Sequence, residues 1–379
     1  MNNKNKTYLV VTPFFPSEKS FVGSYIFDQV NEIRNQTNIN IHIVKVVSFF
    51  SNEKDYFFNN FFVRIFKIID FPFFILPGFF NKINKFRFKA FLRRVNIEKI
   101  HFSHAHVSYP SVYLIQDLEC IKMAQHHGLD VLQLMNGRNS LLRKIQKTYL
   151  VKNTIKHLNN VDINIGVSNL VLKQLKKYKA YEPKQEFVLY NGVDTKKFFF
   201  KKNSKNHIFT IGCVANFWKT KDQITLIKSV KSILNEGIEV KLRFIGSGSC
   251  LKYCKRYVSD HNITNNIIFE NEMPHHKLND FYNSIDLFVL PSYFEALGCV
   301  YLESWATNTK FIGIEGQGIS ELISNYDKKN LLAVKQSVSS LKEKIRLAYN
   351  SGENYTFDMR YAIHNTISEF LQQPFFNEK

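Results

Sequence analysis

Short apolar runs rich in Val, Ile and Phe recur along this sequence, and almost every pair is separated by a longer segment of helical character. That alternation restricts the fold more than any other feature. Strands joined through helices run parallel, and a parallel sheet needs helices on its faces, so the chain reads as α/β. The first series of candidate strands covers residues 8–12, 39–47, 99–103, 161–167 and 186–190. After the polar stretch KKNSKNH at 201–207, a second series covers 208–214, 240–245, 266–269, 287–290 and 310–313. A length of 379 residues suits two domains. The expectation is two doubly wound Rossmann-like domains, 1–190 and 191–352, facing a central cleft, with a helical tail at 353–379 packing back toward the first. Ligands in such folds bind outside the carboxyl ends of the strands, on the cleft side.

Composition narrows the class. Hydrophobic residues make up 45% and charged residues 22%, which excludes extended disorder. The opening MNNKNKTYLVVTPFFP lacks the basic-then-apolar pattern of a secretory leader, and Pro13 and Pro16 interrupt its apolar run. The run at 71–80 contains two prolines and falls short of the ~20 apolar residues of a spanning helix. A cytoplasmic protein without a transmembrane segment is therefore expected. Cys120, Cys213, Cys250, Cys254 and Cys299 form neither a disulfide framework nor a zinc pattern, since only Cys250 and Cys254 are close and no second Cys/His pair has ligand spacing. Reduced, buried thiols fit them best. The formal charge of +19 asks for an anionic partner: nucleic acid, anionic lipid or a phosphate-bearing substrate.

The chemistry concentrates after the run at 287–290, in PSYFEALGCVYLESWATN. Pro291 and Ser292 end the strand, and a helix is expected to begin near Ala296, with Glu295 at its mouth. Glu303 lies eight residues on, ~12 Å along a helix axis. Between the two carboxylates, backbone N–H groups near Leu297, Gly298 and Cys299 can cradle a diphosphate at the positive end of the helix dipole. A carboxylate is a good acceptor for vicinal hydroxyls, which both ribose and hexose present. The arrangement suits a nucleotide-diphosphate sugar, although two glutamates at this spacing also arise by chance.

The context of that pair resembles the GT-B glycosyltransferases of family 4, whose donor signature is E-x7-E. The pair follows IDLFVLPS and precedes GIEGQGISEL, the order seen in that family. NGVDTKKF, IGCVANFWKTKDQITLI and LRFIGSGS extend the resemblance, and TPFFP, VGSY and HAHVSYP carry it over nearly the whole chain. It implies a GT-B fold and transfer with retention of anomeric configuration from a UDP- or GDP-sugar, with no other cofactor and no essential metal. No DxD-like motif stands at a strand end.

Residue by residue, the resemblance implies that Glu295 faces the transferred sugar, Glu303 holds the ribose hydroxyls and Lys221 lies against the donor diphosphate, stabilising the departing nucleotide. One position departs from the family. An Arg often follows the glycine matching Gly212, and here Cys213 stands instead, with Lys219 as the candidate substitute. Gly318 and Ser320 in the Gly-rich loop, and Gly23 after the first strand, fall at positions near the donor in the family; a plain turn glycine is the other reading of Gly23. His127 and Asp130, in QHHGLDVLQ, match a segment on the acceptor side, where His127 would contact the transferred sugar or the acceptor hydroxyl. His104 and His106, in SHAHVSYP, are further candidates on that side, with structural roles as the alternative; neither has a carboxylate at the close spacing a metal site needs.

From Tyr56 to Arg94 the chain is crowded with Phe, Ile, Lys and Arg. Lys82, Lys85, Arg87, Lys89, Arg93 and Arg94 fall together with no acid among them. One reading is an interfacial segment at 56–94, aromatic groups entering the headgroup region while cations meet anionic lipid. The other is a core helix with a solvated basic edge, and Arg87 and Arg94 do intrude on the face of Ile83 and Ala90. A lipid-linked saccharide acceptor at the inner membrane face would account for this region and for the net charge together; a free saccharide is the other acceptor left open.

The expected function is thus transfer of a hexose or N-acetylhexosamine to a saccharide in surface polysaccharide or glycolipid synthesis. A nucleotide-sugar epimerase or a sugar phosphorylase on the same fold stays open, as does a non-enzymatic basic binding protein. Nucleic acid is not an expected partner, because no recognition module or stacking platform is found.

Overall fold

The computed structural model describes residues 6–70, 78–128, 141–202, 208–351 and 355–376, with the backbone alone for 141–147. The chain separates into two units, Met1–Asn191 with Thr366–Lys379, and Gly192–Asn365.

The sheet of the first unit contains β1 (Thr7–Thr12), β2 (Asn40–Ser48), β3 (Tyr56–Phe58), β4 (Phe61–Ile68), β5 (Phe102–His106), β6 (Ile121–His126), β7 (Ile163–Gly166) and β8 (Glu186–Val188). Its order is β3-β4-β2-β1-β5-β6-β7-β8, and all pairs are parallel except β3 with β4. β1 is apolar from Tyr8 to Val11 and buried throughout that stretch, as a central parallel strand must be. The helix Ser24–Gln36 buries Ile26, Phe27, Val30 and Ile33, an apolar stripe at helical spacing.

Three strands of this sheet were absent from the expected series, and a fourth is displaced. β6 reads IKMAQH, whose polar Gln125 and His126 are fully buried, so its apolar signal is broken. β5 begins three residues later than expected, because His104 and His106 lie inside it and are buried as well. β3 and β4 occupy the first part of the basic aromatic region; the second part is the helix Asn81–Arg94, and 71–77 lies outside the described residues. The region is therefore divided between two strands and a helix and is not one core helix.

The second unit carries β9 (Phe209–Val214), β10 (Val240–Ile245), β11 (Ile267–Glu270), β12 (Leu287–Val289), β13 (Lys310–Ile314) and β14 (Leu332–Ala333), in the order β11-β10-β9-β12-β13-β14 and all parallel. The helix Gln223–Leu234 ends as its sequence implies, Asn235 capping it and Gly237 turning away at φ 80°. The tail stays with this unit further than expected, to Asn365: Val193 bridges Ala362, and the Trp305 indole N–H donates to Thr356 O at 2.8 Å. The last residues belong to the first unit, where Phe376 stacks on Tyr8 with ring centroids 6.4 Å apart.

Both sheets are doubly wound. Strand order reverses beside β1 in the first and beside β9 in the second, and the loops leaving those reversal points are where such folds bind ligands.

Candidate active site

Two loops leave the reversal point of the second sheet, one after β9 and one after β12. The first runs through Trp218 into a single tight turn, Lys219–Lys221, and the second is PSYFEALG. They are laced together by backbone. Tyr293 N–H donates to Thr220 O at 3.1 Å, and the Ser292 hydroxyl donates to the same oxygen at 3.3 Å. This lacing brings Lys221 Nζ onto the Glu295 carboxylate, with both side chains only partly exposed. Lys219 lies exposed in the same turn, and Cys213 is buried within β9, its thiol pushed up by desolvation.

Glu295 is held from behind by the Gly-rich loop after β13. Its N–H donates to Gln317 Oε1 at 2.8 Å, and its carbonyl accepts the Gly318 N–H at 3.2 Å. A Cβ on Gly318 would sit 1.7 Å from Ala296 O, so only glycine permits this approach. Gly318 and Ser320 thus direct their N–H groups to Glu295 and Gln317, and the loop acts as a support for Glu295.

The helix expected near Ala296 begins at Cys299 and ends at Ala306. Gly298 precedes it at φ 82°, and a Cβ there would meet the Tyr301 ring at 2.8 Å and Glu295 Cγ at 3.1 Å. Glu295 therefore stands in the loop, and Glu303 in the helix only four residues past its start, so the ~12 Å axial separation expected of a single helix does not apply. Leu297 is buried under this turn, while Gly298 and Cys299 line the entry to the helix, where the Tyr301 N–H donates to Gly298 O at 3.1 Å.

Glu303 is buried, and its oxygens are engaged by two residues that spacing did not reveal. Tyr282 OH donates to Oε2 at 2.9 Å, and His275 Nε2 lies 2.9 Å from Oε1. The Tyr282 phenol is fully buried and its pKa is raised well above the ordinary value, first by desolvation and then by Glu303, so it remains a donor. Phe198, from NGVDTKKF, packs edge-on against His275 at 5.1 Å and Tyr282 at 6.0 Å. One further group was missed. Asp222, next to Lys221, is buried in a left-handed conformation at φ 51°, with Oδ2 lacking a hydrogen-bond partner among the described residues, and burial raises its pKa.

In the first unit the histidines form a column at the reversal point. His104 and His106 stack at 4.2 Å, and His106 and His127 at 5.2 Å. Tyr8 OH lies 2.6 Å from His104 Nδ1, and His106 Nδ1 lies 3.0 Å from His127 Nε2. Desolvation first, then the neighbouring rings, depress His104 to about 3 and His106 well below its ordinary value. His106 is wholly buried, so the expected contact with an acceptor is replaced by packing beneath His127. His127 is half-buried just past β6, against the Tyr25 ring at 4.7 Å. Asp130 lies outside the described residues. Gly23 sits at φ 89° immediately before the helix Ser24–Gln36.

In the helix Asn81–Arg94 the buried side is Asn84, Phe88, Phe91 and Leu92, leaving Ile83 and Phe86 exposed. Lys85 pairs with Asp117 at 2.8 Å, so this cation does have an acid, supplied from outside the cluster. No described helix is long and apolar enough to cross a membrane, and no group of three or more described His, Cys, Asp or Glu is arranged to hold a metal ion. All five cysteines are free thiols.

Residues 194–364 match the family model described as glycosyl transferases group 1. The chain is 30% identical over 146 residues to Protein CapJ of Staphylococcus aureus, covering 38% of this chain and 35% of that protein. It is 23% identical over 239 residues to the O-antigen chain mannosyltransferase RfbU of Salmonella typhimurium, covering 61% and 65%. The chain thus spans about a third of one curated relative and just under two thirds of the other. Among solved structures, sucrose-phosphate synthase from Thermosynechococcus elongatus aligns over 99% of this chain and 100% of its own, with TM-score 0.74 at 15% identity. Anabaena Alr3699/HepE, solved with UDP and glucose, aligns over 97% and 99%, with TM-score 0.70 at 12% identity. These likenesses and the two doubly wound sheets give the chain the GT-B fold, and residues 194–364 carry the pattern of the glycosyl transferases group 1.

Proposed function

We propose that this chain is a retaining glycosyltransferase of family 4 that moves a hexose or N-acetylhexosamine from a UDP- or GDP-sugar to a lipid-linked saccharide, in surface polysaccharide synthesis at the inner membrane face. One observation carries the reading: Lys221 and Glu295 meet at the reversal point of the second sheet, with Glu303 in the helix that starts beside them. An ammonium there can donate to the diphosphate oxygens, a carboxylate can accept from sugar hydroxyls, and a buried carboxylate one turn into the helix can accept from ribose hydroxyls. HepE binds UDP and glucose on this fold, and RfbU transfers mannose in O-antigen synthesis, which supports the class of donor and of product.

In the reaction the bond from the sugar anomeric carbon to the β-phosphate oxygen breaks while the acceptor oxygen bonds to that carbon on the same face. The acceptor proton passes to the leaving phosphate oxygen, and Lys221 stabilises the charge developing on the diphosphate. Glu295 orients the sugar.

The test is a screen of nucleotide sugars for protection against thermal unfolding, followed by transfer assays to lipid-linked and free saccharides. Protection by one nucleoside diphosphate and its sugar, with transfer in the retained configuration, is expected. No protection by any of them would overturn the proposal. Interconversion of the free donor, or release of a sugar phosphate, would replace it with an epimerase or a phosphorylase.

A further inference from the structure

The most fully determined side-chain cluster that the proposed reaction leaves unexplained is the one around Glu303. A carboxylate offers only acceptors, so both of its neighbours must donate. Tyr282, wholly buried, donates to Oε2 from beneath. His275 donates to Oε1 from a tight turn, His275–Lys277, between β11 and the helix Leu278–Asn283, and its side chain keeps 22% of its surface. The two donors come from different elements and clamp the carboxylate in one rotamer. Each carboxylate oxygen keeps a second lone pair, and these are the pairs a vicinal diol would use. Phe198 closes the side of the His275 ring and fixes its orientation.

We infer that His275 is a positioning residue for nucleotide recognition: by clamping Glu303 it sets the preference of the donor site for a ribose over a 2′-deoxyribose nucleotide. The inference rests on the proposed function, in which Glu303 meets the ribose. Its physical basis is that hydroxyl recognition depends on where the acceptor stands. With Tyr282 alone, Glu303 can swing about the bond to one oxygen, and its contact with the two hydroxyls is lost on average while base and phosphate contacts persist.

The experiment measures dissociation constants of UDP, GDP and their 2′-deoxy analogues by calorimetry on the full chain. Wild type is expected to bind one ribonucleotide about tenfold or more tighter than its 2′-deoxy form, as for a lost hydrogen bond to a charged group. In His275→Ala that ratio should fall to within about twofold of unity, with binding of the deoxy form little changed. His275→Gln, whose amide nitrogen reaches the place of Nε2, should restore most of the ratio. If His275→Ala does not fold, His275→Asn, too short to reach Oε1, carries the same comparison. A merely structural role would weaken both ligands alike and leave the ratio intact, and that result overturns the inference while the proposed function stands. Binding without discrimination in wild type also overturns it, by removing Glu303 from the ribose. Absence of binding by every nucleoside diphosphate overturns the proposed function itself.

Discussion

Lys221 Nζ donates to the carboxylate of Glu295, joining two loops 74 residues apart in sequence. The pair is self-neutralising, and under the proposed function the donor diphosphate would meet a cation already oriented by a carboxylate. Removing the cation should affect the chemical step more than the fold. Lys221→Met is expected to lower transfer by about 10²–10³-fold, the range for loss of one preorganised donor at developing charge. Donor titrations of initial rate would check this. A variant retaining more than half of wild-type kcat would remove Lys221 from the reaction.

The support behind Glu295 gives a second expectation. Gly318→Ala would drive a methyl into Ala296 O, so the loop bearing Glu295 must shift, at a cost of about 2 kcal/mol or more. Gly316, two residues earlier at φ 72°, has nothing within 4 Å of the place a methyl would take, and Gly316→Ala should cost only about 1 kcal/mol, from backbone strain alone. Urea melts of the two variants separate these cases. Equal losses would show that the close approach of the two loops is not what holds the site.

Much of this architecture is legible in the sequence, and the parts that are not share a cause. The strand at 287–289 is a continuous apolar run and the one at 240–245 alternates apolar residues with Lys241 and Arg243, and both appear where the pattern puts them. β6 is invisible to the same rule because buried polar side chains, Gln125 and His126, stand where apolar ones would give a signal. The helix start moves from Ala296 to Cys299 because the left-handed turn at Gly298 is a tertiary requirement set by Tyr301 and Glu295. Glu295 and Glu303 stand out by spacing and context, but His275 and Tyr282 lie 28 and 21 residues from Glu303 and meet it only through the fold.

Asp222 leads to a prediction with a definite sign. Burial raises its folded pKa above the ordinary carboxylate value of 3.8, so ionisation is harder in the folded state than in the unfolded one. The penalty is absent below that value, grows as pH rises through the folded pKa and is complete at neutral pH. Thr225 hydrogen-bonds the Asp222 carboxylate, and Asp222→Asn keeps an acceptor for it and tolerates a left-handed φ. It should raise the unfolding midpoint in urea at pH 7, and the gain should shrink toward pH 4. A gain of the same size at both pH values would mean that ionisation is not its source.

The histidine column has the opposite dependence. His104, at about 3, and His106 are depressed below the ordinary 6.5, so the unfolded chain binds more protons than the folded one at acid pH. Their contribution is fully present above the unfolded value and is lost as pH falls from about 6.5 toward the folded values. Urea melts at pH 7, 5 and 4 should show a steady fall. The double variant His104→Leu, His106→Leu should show a smaller fall over the same range, whatever its stability at pH 7. An unchanged slope would place the acid sensitivity elsewhere.

The proposed membrane contact is tested at the helix Asn81–Arg94. Lys85 is paired with Asp117, so its charge is already compensated, whereas Lys82, Lys89, Arg93 and Arg94 have no carboxylate within ion-pair distance among the described residues. Phe79 and Phe86 project beside them, 60% and 77% exposed. Surface cations of this kind contribute about 1 kcal/mol each at an anionic bilayer, and salt screens them over about 10 Å at 0.1 M. Sedimentation with vesicles containing phosphatidylglycerol should therefore weaken steeply with salt. Lys82→Gln, Lys89→Gln, Arg93→Gln and Arg94→Gln together should reduce it about tenfold or more, and Lys85→Gln alone should not. Phe86→Ser should remove the part that survives high salt. Binding that ignores salt, or equal loss from the Lys85 variant, would sink the membrane assignment and leave a saccharide acceptor in free solution as the remaining partner.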